Sequence, residues 1–290
     1  MELSDITQLL KQLIKPGYGA VAPDEVDFIQ SLIATHKPKN FIEIGMASGM
    51  STGFIARFMD EQGGGRLVSL DHDDTFFGDT SKHNGFLFPE IYQGTSVKSE
   101  LIKFKTALDI HEIDGSFEMA FIDANHQHPW PAIDMMALYP RMTGPKIMVH
   151  HDLKLFMTQN NMFGIGPKYL FDQFPESHRQ RSTANDGNIF AVDLNLDQAR
   201  FETLLTDLFK LPWSVRTPIN PAYVAKIEAI LKRDYSPALH SHFMRCLEHN
   251  NAPPQTQDGL MARVELLQGQ VKKLQTRTDG GLLRRLLGKS

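Results

Sequence analysis

The sequence predicts an α/β fold: a doubly wound, largely parallel sheet with helices on both faces, followed by a C-terminal helical extension. Three observations carry this reading. Apolar runs of strand length, "NFIEIG", "RLVSLD", "EMAFID" and "KIMVHHD", recur between residues 40 and 152. Segments with helical spacing separate most of them, and alternating strands and helices argue for a parallel sheet covered on both faces. Each run also ends in a glycine or an acid, and open parallel sheets bind ligands beyond the carboxyl ends of their strands.

In chain order, a helix is expected over Leu3–Ile14, broken by Lys15-Pro16-Gly17. A second begins near Pro23 with Asp24 and Glu25 in its first turn, where the helix dipole favours acids. "NFIEIG" is the first strand, and "STGFIARFMDEQ" the helix after its glycine turn. Arg66–Asp71 is the second strand, and the less apolar Glu90–Gly94 a third. Glu118–Asp123 and Lys146–Asp152 are the fourth and fifth, and Asn188–Leu194 is a late strand paired with one near Arg179–Thr183. Residues 1–195 thus form the sheet domain with its N-terminal helices. Residues 196–250 are a helical extension and 251–259 a linker. In the tail, 260–290, Leu260, Val264, Leu267, Val271 and Leu274 alternate in steps of four and three, a coiled-coil seam of about two heptads. The closing "GGLLRRLLGKS" is basic and amphipathic, and reads either as a homo-oligomer or membrane-surface contact or as a frayed tail.

Bulk composition excludes several classes. With 30 basic and 34 acidic residues the chain has no strongly basic body, and no nucleic-acid partner is expected. Cys246 is the single cysteine, which rules out an intrachain disulfide and a cysteine-thiolate zinc cluster within one chain. The first residues are amphipathic and charged without the apolar core of a signal peptide, and no window reaches membrane-span length, so a cytoplasmic location is expected.

The strand ends carry the chemistry. In "EIGMASGMST", Gly45 and Gly49 allow a sharp turn and close backbone approach to a ligand, and Ser51 and Thr52 open the next helix. The spacing is not the G-x-G-x-x-G of nicotinamide-dependent oxidoreductases. Glu43, two residues before the first glycine, suits a cationic group better than a pyrophosphate; an ordinary glycine turn is the alternative. Asp71 at the second strand end is placed to accept bonds from ribose hydroxyls. Ser96, in the turn Gly94–Ser96, is placed to border an adenine ring. "FIDANHQHPW" sets Asp123 and His126 behind the fourth strand, which reads as a structural turn, a metal site or a catalytic base. His151-Asp152 at the fifth strand end supplies a second carboxylate on a neighbouring strand and favours the last two readings.

Taken in order, "FIEIGMASGMST", "VSLD", "FIDANH" and "VHHD" resemble class I S-adenosylmethionine-dependent methyltransferases, in particular small-molecule O-methyltransferases of the catechol and macrocin types. The resemblance covers roughly Val21 to Leu194. It implies a Rossmann-like sheet of about seven strands with the last antiparallel. It also implies a small-molecule acceptor, S-adenosylmethionine as cofactor and a divalent metal. On the matching positions, Glu43 and Gly45 lie near the methionine part of the cofactor, with Gly49 and Ser51 in the same turn; Asp71 holds the ribose and Ser96 borders the adenine. Asp123 ends the strand beside the cofactor as a metal ligand, His126 is the base, and Asp152 is a further metal ligand. His151 departs from the family's acid-acid or Asp-Asn pair and is either a ligand or a neighbour of the metal. The lysine of the catechol-type enzymes is missing, and "TGPK" replaces their Pro-Gly-Gly.

These roles are chemically coherent. A divalent cation on a hydroxyl lowers its pKa, and a nearby histidine can take the proton. Two carboxylates suit magnesium or manganese, and a ligating histidine tilts the choice toward manganese, iron or zinc. His128 and Trp130 are expected to line the acceptor pocket, and His150 to face away from it. "FGIGPKYLFDQF" reads either as a lid, with Lys168 meeting an anionic acceptor, or as a plain helix-starting loop. The alternative class is a non-catalytic scaffold that kept the cofactor fold and docks through its tail.

Overall fold

The computed structural model describes residues 1–250 apart from 16–17, 19–20, 161 and 185–186. The linker at 251–259 and the tail at 260–290, with its expected seam, lie outside the described residues.

Seven strands form one sheet: β1 (Asn40–Ile44), β2 (Gly65–Asp71), β3 (Val97–Lys103), β4 (Phe117–Ile122), β5 (Met142–His150), β6 (Arg179–Arg181) and β7 (Phe190–Asp193). Their order is β3-β2-β1-β4-β5-β7-β6. β1 to β5 pair in parallel, and β7 enters antiparallel between β5 and β6. The chain order reverses between β1 and β4, and the crevice at such a switch point is where open α/β sheets bind ligands.

Strand alternation divides the core. Phe41, Leu67, Met119, Phe121, Ile147 and Val149 face α1 (Leu3–Leu13), α2 (Pro23–His36) and α3 (Met50–Glu61). Ile42, Ile44, Val68, Leu70, Ala120, Ile122 and Met148 face the other way, toward α5 (Trp130–Leu138), α7 (Gln198–Lys210), α8 (Pro221–Asp234) and α9 (Pro237–Asn250). Strands buried on both faces must be apolar almost throughout, as these are. The helical extension shares this second core through Phe201, Leu205, Ile227 and Phe243. Asp197 and Asn220 cap α7 and α8 by accepting backbone N–H bonds. Among the described residues no helix is long and apolar enough to cross a membrane.

One expected strand is misplaced. Glu90–Gly94 is not a strand: Phe88–Ile91 forms a one-turn helix, α4, with Pro89 in its first turn. The third strand is the sequence "VKSELIK", in which only Val97 is buried. It lies at the sheet edge, where charged side chains protect an open hydrogen-bonding rim and erase the apolar signature of an inner strand.

Candidate active site

A cavity of about 1000 Å³ lies over the carboxyl ends of the strands. Gly45, Ala47 and Asp71 line one part of it, Asp123 and His126 another, and Trp130, Asp134, Phe163, Arg216 and Tyr223 are further parts of the wall.

Gly45 has a φ of +91° and donates its N–H to the Leu70 carbonyl at 2.9 Å. A Cβ there would overlap the Asp123 carbonyl, so only glycine lets these two strand ends close together. Asp71 is held by its neighbours: Oδ2 accepts the N–H groups of Met46 and Ala47 at 3.1 and 3.0 Å, and Oδ1 that of Asp73 at 3.1 Å. Burial pushes its carboxyl up, but bonds from His72 and these backbone groups outweigh burial and keep it below the usual range. It stays an anion facing the cavity.

Four other residues expected at the cofactor do not face it. Glu43 is fully buried and accepts the hydroxyls of Ser51 and Thr52 at 2.5 Å each and of Ser69 at 2.6 Å. Burial raises its pKa to about 7 against the pull of those hydroxyls. Glu43 and Ser51 thus tie α3 to the sheet rather than line the cavity. Gly49, at φ +83°, packs its Cα side against Gly85. Ser96 is a correction: it precedes β3, so it lies at the amino end of the sheet, where its hydroxyl bonds to Asp60. The misplaced third strand caused this error. The residues that follow β3 into the cavity are Lys105 and Thr106.

The carboxyl ends of β4 and β5 bring acids and histidines together. His126 Nε2 lies 3.2 Å from Asp123 Oδ1 and 3.4 Å from Asp152 Oδ2. Asp123, His126 and Asp152 each offer one ligand atom, all within 4.8 Å of one another. His151 Nδ1 lies 3.3 Å from Asp123 Oδ1 and 3.5 Å from Asp152 Oδ1, yet is buried without an aligned hydrogen bond. Its Nε2 lies 3.0 Å from Glu25 Oε2, on the first turn of α2. Asp152 sits at φ +62°, an uncommon backbone state that aspartate tolerates better than most residues, and accepts the Asn188 side-chain amide at 3.0 Å. Burial lowers the proton affinity of both histidines, but the surrounding carboxylates win: His126 is raised and His151 well raised. Burial would lift the Asp123 carboxyl, yet the two imidazoles hold it far below the usual range.

The comparisons with known proteins fall on this region. Residues 42–153, from β1 to just past Asp152, match the family described as a methyltransferase domain. These residues are similar to a methyltransferase domain. A catechol O-methyltransferase of Niastella koreensis is 31% identical over 111 residues, covering 37% of this chain and 46% of that protein. The chain thus spans about half the length of the curated relative it matches. Among solved structures, an O-methyltransferase from Bacillus cereus in complex with SAH is 20% identical, with a TM-score of 0.47 over 66% of this chain and 90% of that one. A SAH-bound methyltransferase from Podospora anserina is 14% identical, with a TM-score of 0.48 over 66% and 86%.

Within this region the donor set fits a divalent ion. If His151 donates Nε2–H to Glu25, its Nδ1 lone pair points at two carboxylate oxygens, an arrangement that needs a cation or a proton between them. Other expectations divide. Trp130 and Phe163 line the cavity. His128 does not: it is fully buried, with Nε2 on the Leu208 carbonyl at 3.0 Å and a pKa pushed down by burial to about 4. Lys168 pairs with Asp172 along α6 (Gly166–Gln173) instead of facing the cavity. Sequence reasoning missed Glu25, Asn188, Asp134, Arg216 and Tyr223. Glu25 carried a signal, as an acid in a first helical turn, where its Oε2 accepts the Ala22 N–H at 2.5 Å. Nothing local marked its contact with His151, 126 residues away.

Proposed function

We propose that this chain is an S-adenosylmethionine-dependent, divalent-metal-assisted O-methyltransferase acting on a small hydroxylated acceptor, a sugar being one such acceptor. The observation that carries the reading is that Asp123 and His126 line a cavity that also receives Gly45 and Asp71, and that Asp152 meets those two residues from beside it. When bound, the cofactor supplies an electrophilic methyl group, and a divalent cation lowers the pKa of the acceptor hydroxyl.

The chain's own residues do the rest. Asp71, kept ionised, accepts the ribose hydroxyls, and Gly45 lets the cofactor approach the backbone. Asp123, Asp152 and His151 Nδ1 hold the cation, with Glu25 fixing the His151 ring. His126 lines the cavity beside Asp123, and its Nε2 would take the acceptor's proton when the ring is neutral. A nitrogen in the donor set favours manganese over magnesium. The test is methyl transfer to hydroxylated aromatics and sugars with Mg²⁺, with Mn²⁺ and after chelation, beside calorimetry of S-adenosylmethionine binding. Full activity after chelation removes the metal from the mechanism, and absence of cofactor binding removes the reading altogether.

A further inference from the structure

The loop that follows β4 is stitched to two segments from further along the chain. The His126 carbonyl accepts the Gly166 N–H at 3.0 Å, and Gln127 Oε1 accepts the Arg216 N–H at 2.9 Å. His128 donates its N–H to Ser214 Oγ at 2.8 Å, and its carbonyl accepts the Ser214 N–H at 2.9 Å. The Ser214 hydroxyl in turn donates to the Phe163 carbonyl at 2.9 Å. These bonds hold the connector between α7 and α8, residues 211–220, beside the segment that carries His126. Arg216 thereby joins the cavity wall, with its guanidinium over the Phe163 ring, 4.1 Å from the centroid. A ring face orients a guanidinium without using up its in-plane N–H groups. Among the described residues that guanidinium has no acid partner and no hydrogen-bond acceptor. Lys105, which also lines the cavity, is bound to Glu112.

An oriented guanidinium without a partner is a ready site for a carboxylate or a phosphate, whose oxygens match its paired N–H groups. Two acids of the cavity are engaged elsewhere: Asp71 by backbone N–H groups, and Asp123 by the His126 and His151 rings. Position assigns the anion to the acceptor and not to the cofactor. In the strand order β2-β1-β4-β5, Asp71 ends β2 and Gly45 follows β1, whereas Arg216 is tied to the loop after β4, next to the proposed base. We infer that Arg216 binds an anionic group of the acceptor, a carboxylate or a phosphate, and so selects acidic hydroxylated acceptors. The inference rests on the function proposed above and narrows its acceptor class. It gives Arg216 the role expected of Lys168, which is bound to Asp172. It also gives the helical extension, which lies beyond the matched residues 42–153, a part in choosing the substrate.

The test is calorimetry on the full chain with S-adenosylhomocysteine and Mg²⁺ present, using two ligand pairs that differ in charge. One pair is gallate and methyl gallate, and the other is glucose 6-phosphate and glucose. The unaltered chain should prefer the anion of at least one pair by about fivefold or more, since a bidentate charge-assisted contact outlasts the screening of a partly exposed site. Preference in the gallate pair alone marks a carboxylate, and in the glucose pair alone a phosphate. Arg216→Gln should cut the preference to within about twofold and leave S-adenosylhomocysteine affinity unchanged. That substitution keeps the main-chain bond to Gln127, so the connector stays in place. Arg216→Lys, which keeps the charge without the planar fork, should retain only part of the preference. A preference kept in full by Arg216→Gln, or absent from both pairs in the unaltered chain, overturns the assignment to Arg216. So does a loss of S-adenosylhomocysteine affinity in Arg216→Gln, which would give the guanidinium to the cofactor. Failure of the unaltered chain to bind S-adenosylhomocysteine overturns the cofactor reading beneath the inference.

Discussion

His150 and His151 are neighbours in sequence and opposites in chemistry. His150 points to the α5 side of the sheet, stacked on Phe190 with ring centroids 5.2 Å apart, and burial, with a smaller push from His126, drives its pKa down to about 3. His151 points to the α2 side, among Glu25, Asp123 and Asp152, and its imidazolium persists well above the usual range. Burial acts on both in the same direction. What differs is the set of partners that strand alternation assigns to each face. One face of the sheet end gathers charge, and the other is starved of it.

The sharpest way to break this contrast is to empty the charged side. Asp123→Ala and Asp152→Ala should each weaken Mn²⁺ binding by more than the roughly 10–100-fold typical of residues that only support a ligand. Methyl transfer should fall with it. Paramagnetic titration of Mn²⁺ beside an activity assay checks this. Unchanged Mn²⁺ affinity in both variants would mean that the acids are only strand-end caps.

Much of this site was legible because its parts are local. Asp123 and Asp152 end apolar runs, and parallel strands that end together bring their acids together. The alternation that separates His150 from His151 is likewise written in the strand itself. What was illegible depended on distance. Asn188 reaches Asp152 across 36 residues, and Leu208 buries His128 from 80 residues away. A histidine in a polar loop at a strand end reads as pocket wall until the helix that covers it is known. The third strand failed for a different reason, since an edge strand has only one buried neighbour to demand apolar residues. Its misplacement carried Ser96 to the wrong end of the sheet.

Glu43 is an acid on the α3 side that meets only hydroxyls, and its effect should appear as stability. Its folded pKa, about 7, lies above the ordinary 4.5 of a glutamate, so the folded state holds a proton that the unfolded chain releases. The contribution is fully present below pH 4.5 and is lost as pH rises through 7, a change of up to about 3 kcal/mol. Glu43→Gln removes the ionisation while keeping the shape. Urea unfolding from pH 4.5 to 8 should show a flatter profile than the unaltered chain, and an identical slope in both would refute the assignment.

Glu25 tests the charged side from its support. Glu25→Gln keeps the side-chain size but takes away the anion beside His151 Nε2. Mn²⁺ affinity should drop by roughly 10–100-fold, while S-adenosylhomocysteine affinity stays the same, since Asp71 and Gly45 are untouched. If cofactor affinity falls equally, Glu25 acts on the fold of the site and not on the metal.

The smallest effect belongs to the residue beside His151. His150 Nε2 is buried with no hydrogen-bond partner, so an apolar ring in its place loses nothing at that atom and keeps the packing against Phe190. His150→Phe should shift stability by less than about 1.5 kcal/mol and leave Mn²⁺ affinity and turnover unaltered. His151→Phe, one position on, removes Nδ1 from the carboxylate pair and should lose Mn²⁺ affinity outright. If the two variants behave alike, metal binding does not follow the face of the strand. If they differ as stated, a single reversal of side along β5 separates a packing histidine from a ligand.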